Sequence, residues 1–167
     1  MAFVKKDIFS ESFNPFTLIG KEWFLLTSGD TANYNTMTAS WGQLGFLWNK
    51  PVFTTVVRTS RKTFELMEKN DLFTISFFDE KYRSALNFCG SHSGRDCDKA
   101  KETGLVPVEL EGSTAFEQAK MVFVCRKIYE KDMCEEDFTD KSLLKFYEKD
   151  PFHKNFTGEI IACYKAE

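Results

Sequence analysis

Just after a turn at Asn49-Lys50-Pro51, the segment Val52 to Arg58 is an almost continuous run of β-branched side chains. Such a run suits a strand buried on both faces, so the chain must build a sheet with something packed on each side of it. Further strand signals surround it. Phe16–Gly20 and Trp23–Ser28 are short apolar runs, the second closed by the turn residues Ser28-Gly29-Asp30. Thr36–Trp48 has strand composition interrupted by Gly42 and Gly45, and glycine inside a strand marks a bulge or a close approach of ligand or backbone. Leu72–Phe78, Val106–Leu110, Met121–Tyr129 and Glu159–Tyr164 complete the expected strands.

Helical periods appear singly between them. Ser60 is placed to cap a helix carrying Phe64, Leu66 and Met67, which Asn70-Asp71 ends. Lys81–Phe88, Asp96–Glu102 (ending at Gly104) and Ser142–Glu148 (ending before Pro151) are the others. A doubly wound parallel sheet needs a helix after every strand. The pattern therefore favours a closed or half-closed β-barrel with peripheral helices. With 167 residues, no repeat and no linker, a single domain over 1–167 is expected.

Charge and composition exclude several classes. A net charge of −3 argues against a nucleic-acid partner. No apolar run approaches bilayer length, and the opening Met-Ala-Phe-Val-Lys-Lys-Asp is too short in apolar residues for a secretory core. Five cysteines without a paired framework read as reduced thiols in a cytoplasmic protein. The Walker A loop, the Gly-x-Gly-x-x-Gly fingerprint and a serine nucleophile elbow are all missing from the sequence. Cys89, His92 and Cys97 lie close together, but a structural zinc site wants four ligands and no second cysteine pair accompanies them, so no metal is expected.

Three polar segments remain. Asn35-Thr36-Met37-Thr38-Ala39-Ser40 gathers small hydrogen-bonding side chains at a strand start, which suits the edge of a planar heterocycle. Arg58-Thr59-Ser60-Arg61-Lys62-Thr63 places cations and hydroxyls where a strand ends and a helix begins. Ser91-His92-Ser93-Gly94-Arg95 adds hydroxyls, a glycine and another cation. The last two combine the donors that a phosphate requires. Each segment alone also fits an ordinary solvated strand, cap or loop. Their co-occurrence in one small barrel favours a bound ligand.

Asn35 to Trp41, Asn49-Lys50-Pro51, and Val56-Val57-Arg58 followed by Thr63 resemble the flavin reductase-like, flavoredoxin-type family. Cys89-Gly90, Ser93-Gly94-Arg95, Asp98-Lys99 and Gly104-Leu105 fit a branch of the same family, and the resemblance runs from Pro15 to Tyr129. It implies a mainly β, FMN-binding split β-barrel of Greek-key type with a few peripheral helices, assembled as a homodimer. Asn35, Thr36, Met37, Thr38, Ala39 and Ser40 would lie along the isoalloxazine. Arg58, Ser60, Arg61 and Thr63 would lie near the phosphate, joined by Ser91, His92, Ser93, Gly94 and Lys99. The implied activity takes hydride from NADH or NADPH and delivers electrons to a small molecule or a partner protein. Thr38 and Ser40 are the expected donors to the reduced ring. No catalytic acid or base is assigned. An electron carrier without NAD(P)H activity, a flavin- or haem-binding module, and a vitamin B6 phosphate oxidase on the same barrel are the alternatives.

Overall fold

The computed structural model describes residues 2–167, which leaves Met1, the first residue of the opening stretch, outside it. Ten strands form, in chain order β1 (Phe3–Lys6), β2 (Phe24–Asp30), β3 (Asn33–Ala39), β4 (Gly42–Leu47), β5 (Lys50–Arg58), β6 (Leu72–Phe77), β7 (Pro107–Leu110), β8 (Ser113–Phe116), β9 (Met121–Asp132) and β10 (His153–Ala166). Between them lie helices α1 (Pro15–Thr17, continued as a wide turn over Leu18–Glu22), α2 (Lys62–Lys69), α3 (Arg83–Ser91) and α4 (Lys99–Thr103). The main sheet is antiparallel in the order β3-β2-β6-β9-β10-β5-β4, with β1 added to β10 and β7–β8 forming a separate hairpin. Its two end strands, β3 and β4, are joined only through Ser40 and Trp41. The sheet must therefore curl until its edges meet without pairing, which is a split barrel.

Alternation along the strands separates two apolar layers. The barrel interior takes Phe24, Leu26, Met37, Phe53, Val57, Phe73, Phe77, Phe123 and Phe156. The opposite face packs Leu25, Val122 and Val124 beneath Ala85, Leu86 and Cys89 of α3 and Phe116 of β8. Phenylalanine thus fills the barrel through tilted and edge-on contacts, such as Phe24–Phe53 at 5.2 Å. Gly158 makes room for it: a Cβ there would stand 2.6 Å from the Phe73 ring.

Several boundaries differ from the sequence reading. Phe16–Gly20 is helical rather than a strand, because Asn14 accepts from the Phe16 and Thr17 amides and Pro15 occupies the first helical position. Thr36–Trp48 divides into β3 and β4 at the barrel corner. In β5 the Phe53, Thr55 and Val57 face is fully buried, while on the other face Val52 is buried and Thr54, Val56 and Arg58 are half-buried. Arg61, not Ser60, is the N-cap of α2 and makes no side-chain cap bond. The expected helix Ser142–Glu148 is a 3-10 stretch, Lys141–Tyr147. Strands β1 and β8 carry too few residues to show a period. Among the described residues no helix is long and apolar enough to cross a membrane, and no group of His, Cys, Asp or Glu is arranged to hold a metal.

Candidate functional site

Strand β3 reads two ways at once. Asn35 and Met37 turn toward the start of α2, whereas Thr36 turns to β2 and Thr38 to α3. The Asn35 amide donates to Thr63 Oγ1 at 2.7 Å, tying β3 to the first turn of α2. The Thr36 hydroxyl pairs with that of Thr27 at 2.8 Å. The Thr38 hydroxyl donates to the Leu86 carbonyl of α3. The Thr36 hydroxyl is thereby used within the scaffold, whereas Thr38, its hydroxyl bonded to α3, still lines a cavity beside Met37 and Ala39. Ser40 sits apart, lining a different, apolar cavity with Phe16, Ile19 and Leu44.

A cavity of about 340 Å³ opens between Asn35 and Met37, the segment Ser60-Arg61-Lys62-Thr63, and the loop His92-Ser93-Gly94-Arg95, with Arg58, Lys99 and Asp150 on its walls. A second cavity of about 180 Å³ shares Met37, Arg58 and Arg61 and is completed by Thr38, Ala39, Trp41, Val56 and His153. The two form one groove along β3, polar at the α2 end and more apolar toward Trp41. A third, about 590 Å³, lies behind Asn35 and Gly94 and includes Tyr34, Asp96 and Asp98. Gly94 is the wall between them: a Cβ there would come within 1.8 Å of Asn35 Oδ1.

The polar end is strongly cationic. Arg95 is paired with Glu65, and Arg58 stands 4.0 Å from Asp150. Among the described residues, Arg61, Lys62 and Lys99 have no carboxylate within ion-pair distance. Instead they donate to backbone carbonyls: Arg61 to Gly90 (3.1 Å), Lys62 to Gly94 (2.9 Å), and Lys99 to Thr36 (2.9 Å) and Cys89 (2.7 Å). Lys99 is only 6% exposed. Burial, reinforced by Arg61 and Lys62, holds its ammonium below the ordinary lysine value, with Cys89 opposing. Burial pushes the Cys89 thiol up to about 11. The first turn of α2 has no side-chain cap, and its residues Lys62 and Thr63 line the same cavity. Cations without carboxylate partners, an uncapped helix start and the buried Thr63 hydroxyl together offer the donors that an anion requires.

The remaining predicted residues divide. His92 lines the cavity with its ring stacked on Phe88 at 3.9 Å. Ser93 also lines it, its hydroxyl accepting from the Arg95 N–H at 3.1 Å. The Ser91 hydroxyl donates one turn back, to the Asn87 carbonyl at 2.8 Å, and Ser91 lies outside the groove walls. Arg58 reaches the groove, but its guanidinium donates to the carbonyls of Pro151 (3.0 Å) and Phe146 (3.1 Å). Sequence reasoning passed over Lys62, Trp41, Asp150 and His153 as site residues. The Arg58–Thr63 charge cluster already contained the signal for Lys62. His153 had no local signal at all. Burial and the nearby Arg58 and Arg61 hold its imidazole down to about 4, so it is neutral at physiological pH.

Solved structures share this architecture. A flavoredoxin from Methanosarcina acetivorans superposes with a TM-score of 0.69 at 23% identity, over 87% of this chain and 69% of that one. A flavoredoxin of Desulfovibrio vulgaris (Miyazaki F) gives 0.70 at 20% identity, over 98% and 78%. An FMN-binding domain of a flavin reductases-like enzyme from Shewanella baltica OS155 gives 0.70 at 17% identity, over 98% and 77%. No curated protein matches the chain. At these identities the structures speak for the fold. The family model of the flavin reductase like domain matches residues 18–167, and the chain belongs to that family.

Proposed function

We propose that the chain is a flavoprotein that binds FMN in the groove along β3 and acts as an NAD(P)H-dependent flavin reductase. The observation that carries this reading is the set of three cations without carboxylate partners (Arg61, Lys62 and Lys99) around the uncapped start of α2. A phosphate monoester fits that chemistry, since it brings about −1.5 to −2 charge and strong acceptor oxygens to donors already in place. The flavoredoxins and the FMN-binding domain of the same fold add to the case.

Bound flavin would supply the redox chemistry, taking hydride from NADH or NADPH and releasing electrons to free flavin, a metal chelate or a partner protein. The chain's own residues do the rest. Arg61, Lys62, Lys99 and the first α2 amides hold the phosphate. Asn35, fixed by Thr63 and walled by Gly94, sets the depth of entry. Met37, Ala39, Val56 and Trp41 offer the ring end an apolar surface that limits water. No acid or base is poised there: His153 is neutral and hydrogen-bonded to Tyr147.

The homodimer and the cytoplasmic location belong to the same proposal. Phe16, Phe46 and Trp48 are 85%, 61% and 55% exposed on the β4 side of the barrel, more apolar surface than an isolated domain usually leaves to water. All five cysteines are free thiols, as a reducing compartment would keep them.

The test is the visible spectrum of the purified protein, before and after NADH is added without oxygen. A flavin spectrum that bleaches supports the reductase. One that persists transfers the chain to the electron carriers. No flavin, and none taken up from added FMN, ends the proposal.

A further inference from the structure

Strands β9 and β10 pair as far as Asp132 and Lys154, and the Met133 N–H still donates to the His153 carbonyl at 3.1 Å. About two residues suffice to join such a pair. The chain instead makes an excursion through residues 133–152 before it returns. Long loops of this kind in compact domains are usually either functional or disordered. This one has its own structure: 3-10 turns at Glu135–Asp137 and Lys141–Tyr147, and an aromatic cluster in which Tyr147 stacks on Phe152 at 4.6 Å with Phe138 against both. Every residue from Met133 to Phe152 keeps some exposure, so the excursion contributes nothing to the barrel core.

It is attached at the groove. Arg58 donates to the Phe146 and Pro151 carbonyls and lies 5.3 Å over the Tyr147 ring. The Tyr147 hydroxyl is 2.8 Å from His153 Nδ1, and Phe146 sets its edge against Trp41 at 5.3 Å. Arg58 and His153 are themselves opposite each other in the β5–β10 register. Asp150 borders the 340 Å³ cavity, while Trp41 and His153 border the 180 Å³ cavity. The excursion therefore walls the larger cavity at Asp150 and braces two walls of the smaller one, Trp41 through Phe146 and His153 through Tyr147.

We infer that residues 133–152 form a strap that gates access to the ring end of the groove, with Arg58, Tyr147 and His153 as its latch. The inference rests on reading the groove as the flavin site. It reassigns Arg58 from phosphate ligand to positioning residue, since both of its terminal nitrogens are held by strap carbonyls. It also makes the strap a specificity element: a small electron acceptor passes it, whereas a protein-sized one is held off.

Two variants separate the parts. Tyr147→Phe removes the bond to His153 but keeps the ring under Arg58. In protein without added flavin, amide exchange over residues 141–152 should become about tenfold faster while β5 and β10 stay unchanged. Equal exchange overturns the latch. Replacing residues 134–152 by Asn-Gly removes the strap and leaves a two-residue hairpin. With FMN bound at saturation and NADH as donor, the ratio of cytochrome c to ferricyanide reduction should rise by about tenfold. An unchanged ratio, or both rates falling together, overturns the gate. Phe146→Ala, which keeps the carbonyl that Arg58 holds, gives the same readout should the shortened chain fail to fold. Wild-type protein that binds no FMN overturns the flavin reading and the gate with it, while the exchange rates still decide the latch.

Discussion

Two lysines are buried in this barrel, and they are treated oppositely. Lys154, 9% exposed, lies 2.7 Å from Glu68 and 2.8 Å from Glu130. Burial alone would lower its pKa, but bonds to Glu130 and Glu68 outweigh that and hold it above the lysine range. Lys99, 6% exposed, has two carbonyls and no carboxylate. A buried ammonium is expensive without a counter-charge. For Lys154 the protein provides one, and the residue is part of the structure. For Lys99 it provides none, and the proposed phosphate in the groove would supply it.

The largest test of that contrast is Lys99→Met. Losing one charge-assisted donor should weaken FMN binding by about 10- to 100-fold. Riboflavin, which lacks the phosphate, should bind as before, and fluorescence titration with both ligands reads the difference. Equal losses for the two flavins would mean that Lys99 shapes the groove without meeting the phosphate.

Lys154→Met is the complementary experiment. It leaves Glu68 unpaired and Glu130 with Lys127 alone, both half-exposed, so it should cost about 1 kcal/mol of stability. FMN affinity should not change. Thermal unfolding and titration on one preparation give both numbers.

The pair also predicts opposite alkaline slopes. Lys99 has a lowered pKa in the folded protein, so between that value and the unfolded value of about 10.4 the unfolded chain binds more protons, and stability rises with pH. Lys154 has a raised pKa, so its stabilisation is complete below about 10.4 and is lost as pH rises through its folded value. Neither slope can exceed about 1.4 kcal/mol per pH unit. Lys99→Met should remove the rising limb of the stability curve and Lys154→Met the falling one. Added phosphate, by raising the Lys99 pKa, should flatten the first limb only.

Residue type announced the anion site more clearly than residue direction did. The cations and hydroxyls of Arg58–Thr63 and the Gly94 loop were visible because phosphate chemistry needs those groups at a helix start. Which of them face the ligand depends on partners remote in sequence. The Thr38 hydroxyl is taken by the Leu86 carbonyl although the residue lines the groove, and the Arg58 guanidinium is taken by carbonyls at Phe146 and Pro151. Nothing within Arg58–Arg61 distinguishes the two arginines. The strap was equally obscure, because its one periodic signal, Ser142–Glu148, folds as a 3-10 stretch and the segment is held by aromatic contacts among its own residues. Strand positions fared better, since β-branched and apolar runs report local geometry. The exception, Phe16–Gly20, is a short apolar run whose period is ambiguous, and the Asn14-Pro15 start signal decided it.

The finest cut on the comparison is Thr38→Val. Lys99 joins β3 to α3 through the Thr36 and Cys89 carbonyls, and Thr38 joins the same elements through Leu86. Gly90 packs against Thr38 with room for only 3.3 Å to an added Cβ, so the junction is tight and a near-isosteric valine fits it. Removing the hydroxyl should cost about 1 kcal/mol of stability, the worth of one neutral hydrogen bond. FMN affinity should change by less than about threefold, because no charge facing the phosphate is lost. The absorption spectrum of bound flavin should stay where it is, since the hydroxyl points to α3. A spectral shift would turn Thr38 back toward the ring. A loss of FMN affinity as large as that of Lys99→Met would show that the β3–α3 junction, not the unpaired charge, sets binding, and the two buried lysines would then differ only in their neighbours.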